Sequence, residues 1–314
     1  MIQVTAIIGL LFQAVRYGTP LLFATTGEIL TEKSGSLNLG VEGTMAVGAI
    51  GGFLFACYAD SLIIGIIGAF LCAGLCGLLF SFLTVKLQAN QNVTGLAMTI
   101  FGVGLYQFIG QTMKTKGTFP MMSERLCAII ADKPATALGD IPYVGELFFS
   151  YNPLVYVAIA VAILVWIYVR FTRTGLKVRA IGENPAAADG VGININRGKF
   201  SNVIIGSGIS GIGGLYMAMV IHGGAWNDYW INGYGWISIA LVIFANWSSA
   251  RAIFGSLLFG IMLALETKVS TLMGAFPTIF GWLGKLPKEF YQMLPFITTA
   301  LVLIISSMRK RKDG

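Results

Sequence analysis

The chain has 314 residues, of which 56% are hydrophobic and only 11% charged, with a formal net charge of +7 and a mean hydropathy of +0.77. About a quarter of the residues in soluble globular domains are charged, so this composition excludes that class and indicates a membrane protein. The run from Ser61 to Val85 contains no charged residue and exceeds the roughly 20 residues that a helix needs to cross the hydrocarbon layer. Uninterrupted apolar runs of this length predict helices and not the alternating strands of a barrel.

The predicted fold class is therefore an all-α polytopic membrane protein with eight or nine transmembrane helices. The run 236–246 leaves the number open, because it is too short to span comfortably. It would either continue with its neighbour as one broken helix or form a re-entrant piece. The nine predicted spans are 5–29, 39–58, 62–85, 93–112, 153–169, 200–221, 236–246, 252–265 and 291–307.

The basic residues predict how these spans are oriented. Segment 170–199 contains six Lys or Arg residues, and the C-terminal tail from Met308 contains four. Short cytoplasmic loops collect such residues, so both segments are expected inside the cell, with the C-terminus cytoplasmic and the N-terminus external. We expect a multi-pass protein of the cell's inner or plasma membrane. Its net charge then reflects topology and contact with anionic membrane lipids, with no nucleic acid partner.

Residues 1–314 are expected to form a single transmembrane domain with three long hydrophilic segments. Segment 170–199 is the cytoplasmic one, and 113–152 and 268–289 are expected to be external loops. Loops of this length are usually functional or mobile. Each external loop is therefore either a docking surface for an outside partner or a solvated cap over the helix ends.

The stretch from Gly27 to Met45 places three acidic residues, a lysine and four glycines between apolar runs. Asn38 is predicted to cap the second span, and Glu42 to face the positive end of that helix's dipole. The glycines in the same turn indicate close packing of backbones.

Arg16 lies near the middle of the first predicted span. A guanidinium at that depth is costly unless it meets water, a carbonyl or an acid inside the bundle. We interpret it first as one half of a structural ion pair with Glu28 or Glu42, and second as a charge that faces the substrate.

The cytoplasmic sequence GENPAAADG predicts a short helix. Asn184 is a good N-cap, Pro185 fits the first helical position, and Gly190 can end the helix after one to two turns. So short a helix does not persist alone in water. It is expected either to sit in a groove on another protein or to be a solvated linker.

Motifs for catalysis and for cofactors are missing from the sequence. It has no P-loop, HExxH or GxSxG pattern, and His222 is its only histidine. The four cysteines show no CxxC spacing and are expected to be small core residues. The sequence therefore predicts no catalytic residue, no cofactor and no metal site, and ATP hydrolysis would need a separate subunit.

Two further patterns concern packing. Small residues recur at every fourth position from Gly206 to Ala218, which predicts a helix–helix seam or, as a second possibility, a point of bending. The aromatic residues between Trp226 and Trp236 are expected to form an interfacial belt, with stacking on a base or sugar as the alternative.

Three stretches resemble the permease subunits of bacterial ABC importers in the branched-chain amino acid and simple-sugar group, particularly the nucleoside-importer branch. They are TPLLFATTGEILTEKSGSLNLGVEGTM, the cytoplasmic GLKVRAIGENPAAADGVGIN, and GYGWISIALVIFANWSSARAIFGSLLFG. The second departs from the EAA-type spacing of other importer families. Together with the predicted spans, the resemblance reaches most of the chain.

The resemblance implies a permease subunit that imports nucleosides, with ribose or another simple sugar as the alternative cargo. It also implies three kinds of partner: two cytoplasmic ATPases, a second similar permease and an extracytoplasmic substrate-binding lipoprotein. By the same resemblance, the cytoplasmic stretch would be a coupling helix that docks on the ATPase. Its expected residues are Gly182, Glu183, Asn184, Pro185, Ala187 and Gly190.

Two other functions are alternatives to the importer. A secondary transporter would use Arg16, Glu28 and Glu42 to couple the solute to ions or protons. A lipid-modifying membrane enzyme would need an intramembrane nucleophile or acid cluster, which the sequence does not supply.

Overall fold

The computed structural model describes residues 2–131, 144–277 and 286–310, and these residues form helices and connecting turns without strands. Thirteen α-helices are described within those ranges. They are α1 Ile2–Lys33, α2 Val41–Ala59, α3 Leu62–Ser81, α4 Gln91–Thr115, α5 Glu124–Ile130, α6 Val144–Phe148, α7 Pro153–Phe171, α8 Arg173–Glu183, α9 Pro185–Gly190, α10 Ile195–Tyr216, α11 Tyr234–Phe244, α12 Ser249–Ala275 and α13 Lys288–Lys310. Single π turns, Phe82–Lys86 and Met217–Ile221, extend α3 and α10.

Seven segments of the described chain are long and apolar enough to cross a membrane. They overlap the first six predicted spans and the span predicted to begin at Ala252, and the second of them begins at Val41, two residues later than predicted. Helix α11 is apolar but has only 11 residues, or about 16 Å of helix. Helix α13 has 23 residues and contains the last predicted span. The all-helical membrane fold is therefore confirmed, while the choice between eight and nine spans stays a prediction.

Helix α12 is longer than the sequence predicted. It runs ten residues beyond Leu265 to Ala275, so the first part of the expected loop 268–289 is helical. The charged residue Glu266 follows directly after the predicted end of this span. It has a partner on the neighbouring helix, since its Oε1 accepts a hydrogen bond from Gln292 Nε2 of α13 at 3.1 Å. Residues 278–285 of this expected loop, and 132–143 of the expected loop 113–152, lie outside the described residues.

Helix α10 packs against α1, α2 and α3 along the predicted seam of small residues. A Cβ atom added to Gly206 would collide with the Gly27 carbonyl of α1, and one added to Gly214 would collide with the Met45 carbonyl of α2. Between them, Ser210 Oγ donates to the Ala24 carbonyl at 3.3 Å. The packing interpretation of this stripe is confirmed.

The segment 222–233, between α10 and α11, turns back into the bundle. Trp230 is fully buried, with its ring centroid 5.3 Å from that of Phe53 and 5.6 Å from that of Tyr106. Its indole N–H donates to the Ala225 carbonyl at 2.8 Å. The expected interfacial belt is therefore wrong for Trp230, because the chain carries this side chain away from the surface.

Helices α11 and α12 are separate pieces. Residues 245–248 form a turn between them, in which Asn246 and Trp247 have φ values of 48° and 53°. A left-handed backbone breaks the helical path. The run 236–246 is therefore interrupted before its neighbour α12, and the choice between a broken helix and a re-entrant piece stays a prediction.

Candidate functional site

The predicted short cytoplasmic helix forms as α9. Asn184 Oδ1 accepts a hydrogen bond from the Ala187 N–H at 3.0 Å, Pro185 occupies the first helical position, and the helix ends at Gly190. A side-chain cap and a proline with a pre-set φ favour helix locally. The local structure predicted from the sequence is confirmed.

Helix α8 was not predicted and explains how α9 is held. Thr172 Oγ1 accepts a hydrogen bond from the Gly175 N–H at 2.9 Å and caps α8. Val178 and Ile181 are buried against the bundle. Segment 170–199 is therefore two helices in sequence, and α8 anchors α9 to the membrane-spanning part.

Helix α9 presents a surface of small side chains to the solvent. Within it only Ala188 is buried, at 2% exposure, and that residue seats the helix. All six predicted coupling residues are exposed: Gly182, Glu183, Asn184, Pro185, Ala187 and Gly190. Small exposed side chains on a helix that Ala188 holds in place suit docking into a groove.

Gly182 lies at the base of this surface, against the turn between α1 and α2. A Cβ atom added there would collide with the Lys33 carbonyl and lie 3.2 Å from the Gly35 nitrogen. Gly35 has a φ of 79°, a conformation that glycine adopts without cost. The contact joins segment 170–199 to the end of α1.

Asn38 is buried beside α1 and does not cap α2, contrary to the prediction. Its Oδ1 accepts from the Gly40 N–H at 2.9 Å, and its own N–H donates to Glu28 Oε1 at 3.1 Å. The N-cap position of α2 is Gly40, without a side-chain hydrogen bond. Asn38 instead closes a local turn. Asparagine favours such turns as well as helix caps, because its side chain bonds nearby backbone groups.

Glu42 lies in the first turn of α2, as predicted, and is only 7% exposed, but its carboxylate also serves another helix. Its Oε1 accepts from the Gly233 N–H at 2.6 Å and its Oε2 from the Gly235 N–H at 2.7 Å. Gly233, with a φ of 87°, is the N-cap of α11 and has no side chain to offer. The carboxylate therefore supplies the cap for α11 and faces the positive end of its dipole.

The segment that Glu42 anchors separates two cavities. One has a volume of about 450 Å³ and the other about 230 Å³, and Tyr229, Asn232 and Gly233 line both. Any change in the position of this segment would therefore alter both cavities.

The larger cavity is polar and aromatic, and its described lining includes one acid, Glu266, and no Lys or Arg. Its rings, hydroxyls and amides come from Tyr17, Asn227, Tyr229, Asn232 and Gln292. Such groups suit a neutral polar solute.

His222, at the edge of the larger cavity, is held in its neutral form. Its Nε2 lies 3.1 Å from the Trp230 carbonyl, and because a carbonyl only accepts, Nε2 carries the proton. Burial lowers the pKa of His222 below its ordinary value, with the bond to Trp230 opposing the shift. A neutral imidazole keeps this wall of the cavity uncharged.

Arg16 reaches the C-terminal end of α10. Its Nη2 donates to the Val220 carbonyl at 3.2 Å, within the π turn. A carbonyl inside the bundle is one of the partners expected for a guanidinium at this depth. The ion pair with Glu28 or Glu42 stays a prediction.

Residues 10–303 match the family described as branched-chain amino acid transport system / permease component. The chain belongs to this permease family. The permease is thus a multi-pass membrane transport component.

Relatives of the permease align over nearly their whole length. The putative glucose ABC transporter permease protein TsgC13 of Haloferax volcanii is 32% identical over 96% of this chain and 92% of its own. The nucleoside ABC transporter permease protein NupC of Lactococcus lactis is 33% identical over 95% and 93%. The guanosine ABC transporter permease protein NupQ of Bacillus subtilis is 29% identical over 91% and 88%. No solved structure gives a significant match.

Sequence reasoning about the permease missed the role of Glu42 as the cap of α11. In the structure, Asn232 and Gly233 before α11 both have positive φ, and the N-cap Gly233 makes no side-chain capping bond. In the sequence, Asn232 stands directly before GYGW and is itself a candidate N-cap, so the missing cap is not visible there. A helix start without its own cap requires a partner from elsewhere, but the sequence does not say which.

Proposed function

We propose that the chain is the membrane-spanning permease subunit of an ATP-driven ABC importer that takes up nucleosides. The names of NupC and NupQ favour nucleosides, while TsgC13, at a similar identity, keeps a simple sugar as the second candidate. The expected partners are two cytoplasmic ATPase subunits, a second similar permease and an extracytoplasmic substrate-binding lipoprotein.

The observation that carries the nucleoside proposal is the composition of the larger cavity. A nucleoside offers an aromatic base and neutral hydroxyls, and the cavity offers tyrosine rings and amides without a fixed cation in its described lining. Aromatic faces stack on bases, and amides pair with their edges. A zwitterionic amino acid would instead require opposite fixed charges to compensate its desolvation.

We propose that force enters through the surface of α9. Closure of the ATPases would move α9 and α8, and the contact of Gly182 with the Lys33 carbonyl would pass this movement to α1. Helix α1 packs against α10, α11 and α12, so it can shift the walls of the cavity. The proposed orientation places the C-terminus and segment 170–199 in the cytoplasm and the N-terminus outside.

An ion-coupled secondary transporter is the less favoured alternative. It would need carboxylates free to exchange protons or ions with the solute pathway. Glu28 and Glu42 instead accept bonds from backbone N–H groups of Asn38, Gly233 and Gly235, which supports a structural role.

Uptake by intact cells tests the substrate. In a strain that lacks the chromosomal copy of this gene, we expect the restored gene to raise accumulation of labelled guanosine. Unlabelled uridine or adenosine should compete, and ribose and glucose should not. Competition by ribose or glucose alone would replace nucleosides with sugars. Accumulation that survives depletion of ATP at constant proton-motive force would instead support the secondary transporter.

A further inference from the structure

A basic cavity of about 180 Å³ lies apart from the two cavities described above. It is situated where α1 and α7 end and α12 begins, beside α8. Four cations line it, and no Asp or Glu is present among its described lining residues. The cations are Lys33, Arg170, Arg179 and Arg251.

Arg179 has a buried atom that lacks an acceptor. Its Nε is inaccessible and has no hydrogen-bond partner within the described part of the chain. Buried polar atoms in native proteins almost always have a partner, and an unmet one destabilises the fold. This guanidinium therefore indicates a missing anionic or polar acceptor.

The first turn of α12 adds backbone donors to the same cavity. Ser248 occupies the N-cap position but makes no side-chain capping bond, and both Ser248 and Ser249 line the cavity. The positive end of this 27-residue helix therefore faces the region where the cations converge. Helix starts with uncapped N–H groups bind phosphate.

The turn that forms one wall is held in an unfavourable conformation. Trp247 has a φ of 53°, which is rare for a bulky residue. Its indole donates to Glu32, and Arg251 Nη2 donates to the Asn246 carbonyl at 2.9 Å. The Glu32 carboxylate beside the cavity is thus engaged by an indole, while Arg251 keeps further N–H donors for a ligand. Strained backbone that is fixed in this way tends to mark functional positions.

We propose that this cavity binds the phosphate group of an anionic phospholipid. Trp166 and Trp247 line it, and tryptophan concentrates at the depth of the headgroups. Basic pockets between the ends of membrane helices hold such headgroups, and arginine pairs with phosphate oxygens through two parallel bonds. A bound headgroup would join α1, α7, α8 and α12 directly beside the Gly182–Lys33 contact. It would therefore restrict the movement of α8, which anchors α9.

The inference depends on a membrane location and not on which solute is carried. Full-length permease, stripped of lipid in neutral detergent, is melted with three probes: phosphatidylglycerol, dioleoylglycerol, which lacks the phosphate, and inorganic phosphate. We expect phosphatidylglycerol to raise the melting temperature and dioleoylglycerol to leave it unchanged. Arg179→Gln and Arg251→Gln should each weaken the apparent affinity for phosphatidylglycerol about tenfold, the usual loss for a charge-assisted bond.

Arg173→Gln is the matched control, because it removes the same charge from the exposed start of α8 outside the cavity. Arg251 is also exposed, so Arg251→Gln should fold even if Arg179→Gln does not. Inorganic phosphate could instead stabilise the wild type but neither Arg179→Gln nor Arg251→Gln. That result would support the same site with soluble phosphate as the ligand. The proposal would be overturned if dioleoylglycerol stabilised the permease as much as phosphatidylglycerol, or if no probe stabilised it. It would also be overturned if Arg173→Gln and Arg251→Gln lost equal affinity for phosphatidylglycerol.

Discussion

Glu42 Oε2 lies 2.7 Å from the backbone nitrogen of Gly235, although 193 residues separate them in the chain. The contact joins the first turn of α2 to the first turn of α11 and fixes the segment between the two cavities. Removing the carboxylate would leave the partly buried Gly233 N–H and the buried Gly235 N–H without their acceptor.

Glu42→Gln should destabilise the permease by about 1–3 kcal/mol, because one of two good acceptors becomes a donor that faces N–H groups. We expect a lower melting temperature in detergent and slower solute uptake by the assembled transporter. Glu124→Gln, at the exposed first turn of α5, is the control and should melt like the wild type. An unchanged melting temperature in Glu42→Gln would remove the anchoring role.

Asn184→Ala should uncouple ATP hydrolysis from the solute. Losing an N-cap costs about 1 kcal/mol, and a helix as short as α9 does not survive that loss alone. We expect faster amide exchange within α9 and weaker stimulation of ATP hydrolysis by the solute-loaded binding protein.

Asn194→Ala is the matched control for that change. Asn194 is also exposed and caps α10 by accepting from the Arg197 N–H at 2.9 Å, but α10 has 22 residues and tolerates fraying. Equal loss of stimulation in both variants would argue against a specific role for α9.

Gly214→Val should prevent correct packing of α10. The new Cβ would collide with the Met45 carbonyl, which is backbone and cannot rotate away. Overpacking of a core typically costs about 1–3 kcal/mol, so we expect a large drop in folded yield by size-exclusion chromatography. Gly104→Val on α4 has open space around it and should leave the yield unchanged. Normal yield of Gly214→Val would refute the close α2–α10 approach.

His222 should make stability depend on pH. Burial lowers its pKa from about 6.5, so the unfolded chain takes up a proton more readily than the folded one. This contribution to stability is complete above pH 6.5 and declines as the pH falls from 6.5 towards the lower pKa of the folded state. Melting curves between pH 7.5 and 5 should show a steeper loss for the wild type than for His222→Gln. Parallel slopes would contradict the assigned burial.

Local patterns in the sequence predicted the elements that depend on neighbouring residues. Asn184 and Pro185 predict the start of α9, because the capping bond and the proline act on residues next to them in the chain. The small-residue stripe of α10 recurs with the period of a helix. Asn38 shows the limit, since one residue type both caps helices and closes turns, and its contact with Glu28 decided the outcome.

The contacts that build the cavities could not be predicted in this way. Glu42 and Gly235, or Trp230 and Phe53, meet only because 222–233 turns back into the bundle. Apolar composition marks both a lipid-facing belt and a buried aromatic cluster, so hydropathy could not place Trp230. The length of α12 was missed for a related reason, because the partner of Glu266 lies on α13.

The most direct test of ATP-driven transport through α9 is guanosine uptake into proteoliposomes that hold the complete transporter and enclosed ATP. We predict uptake with ATP and none with a non-hydrolysable analogue. Ala187→Trp, which places a bulky ring on the exposed surface of α9, should abolish uptake while the permease still inserts. Uptake by the permease without its ATPase, or undiminished uptake by Ala187→Trp, would contradict the account.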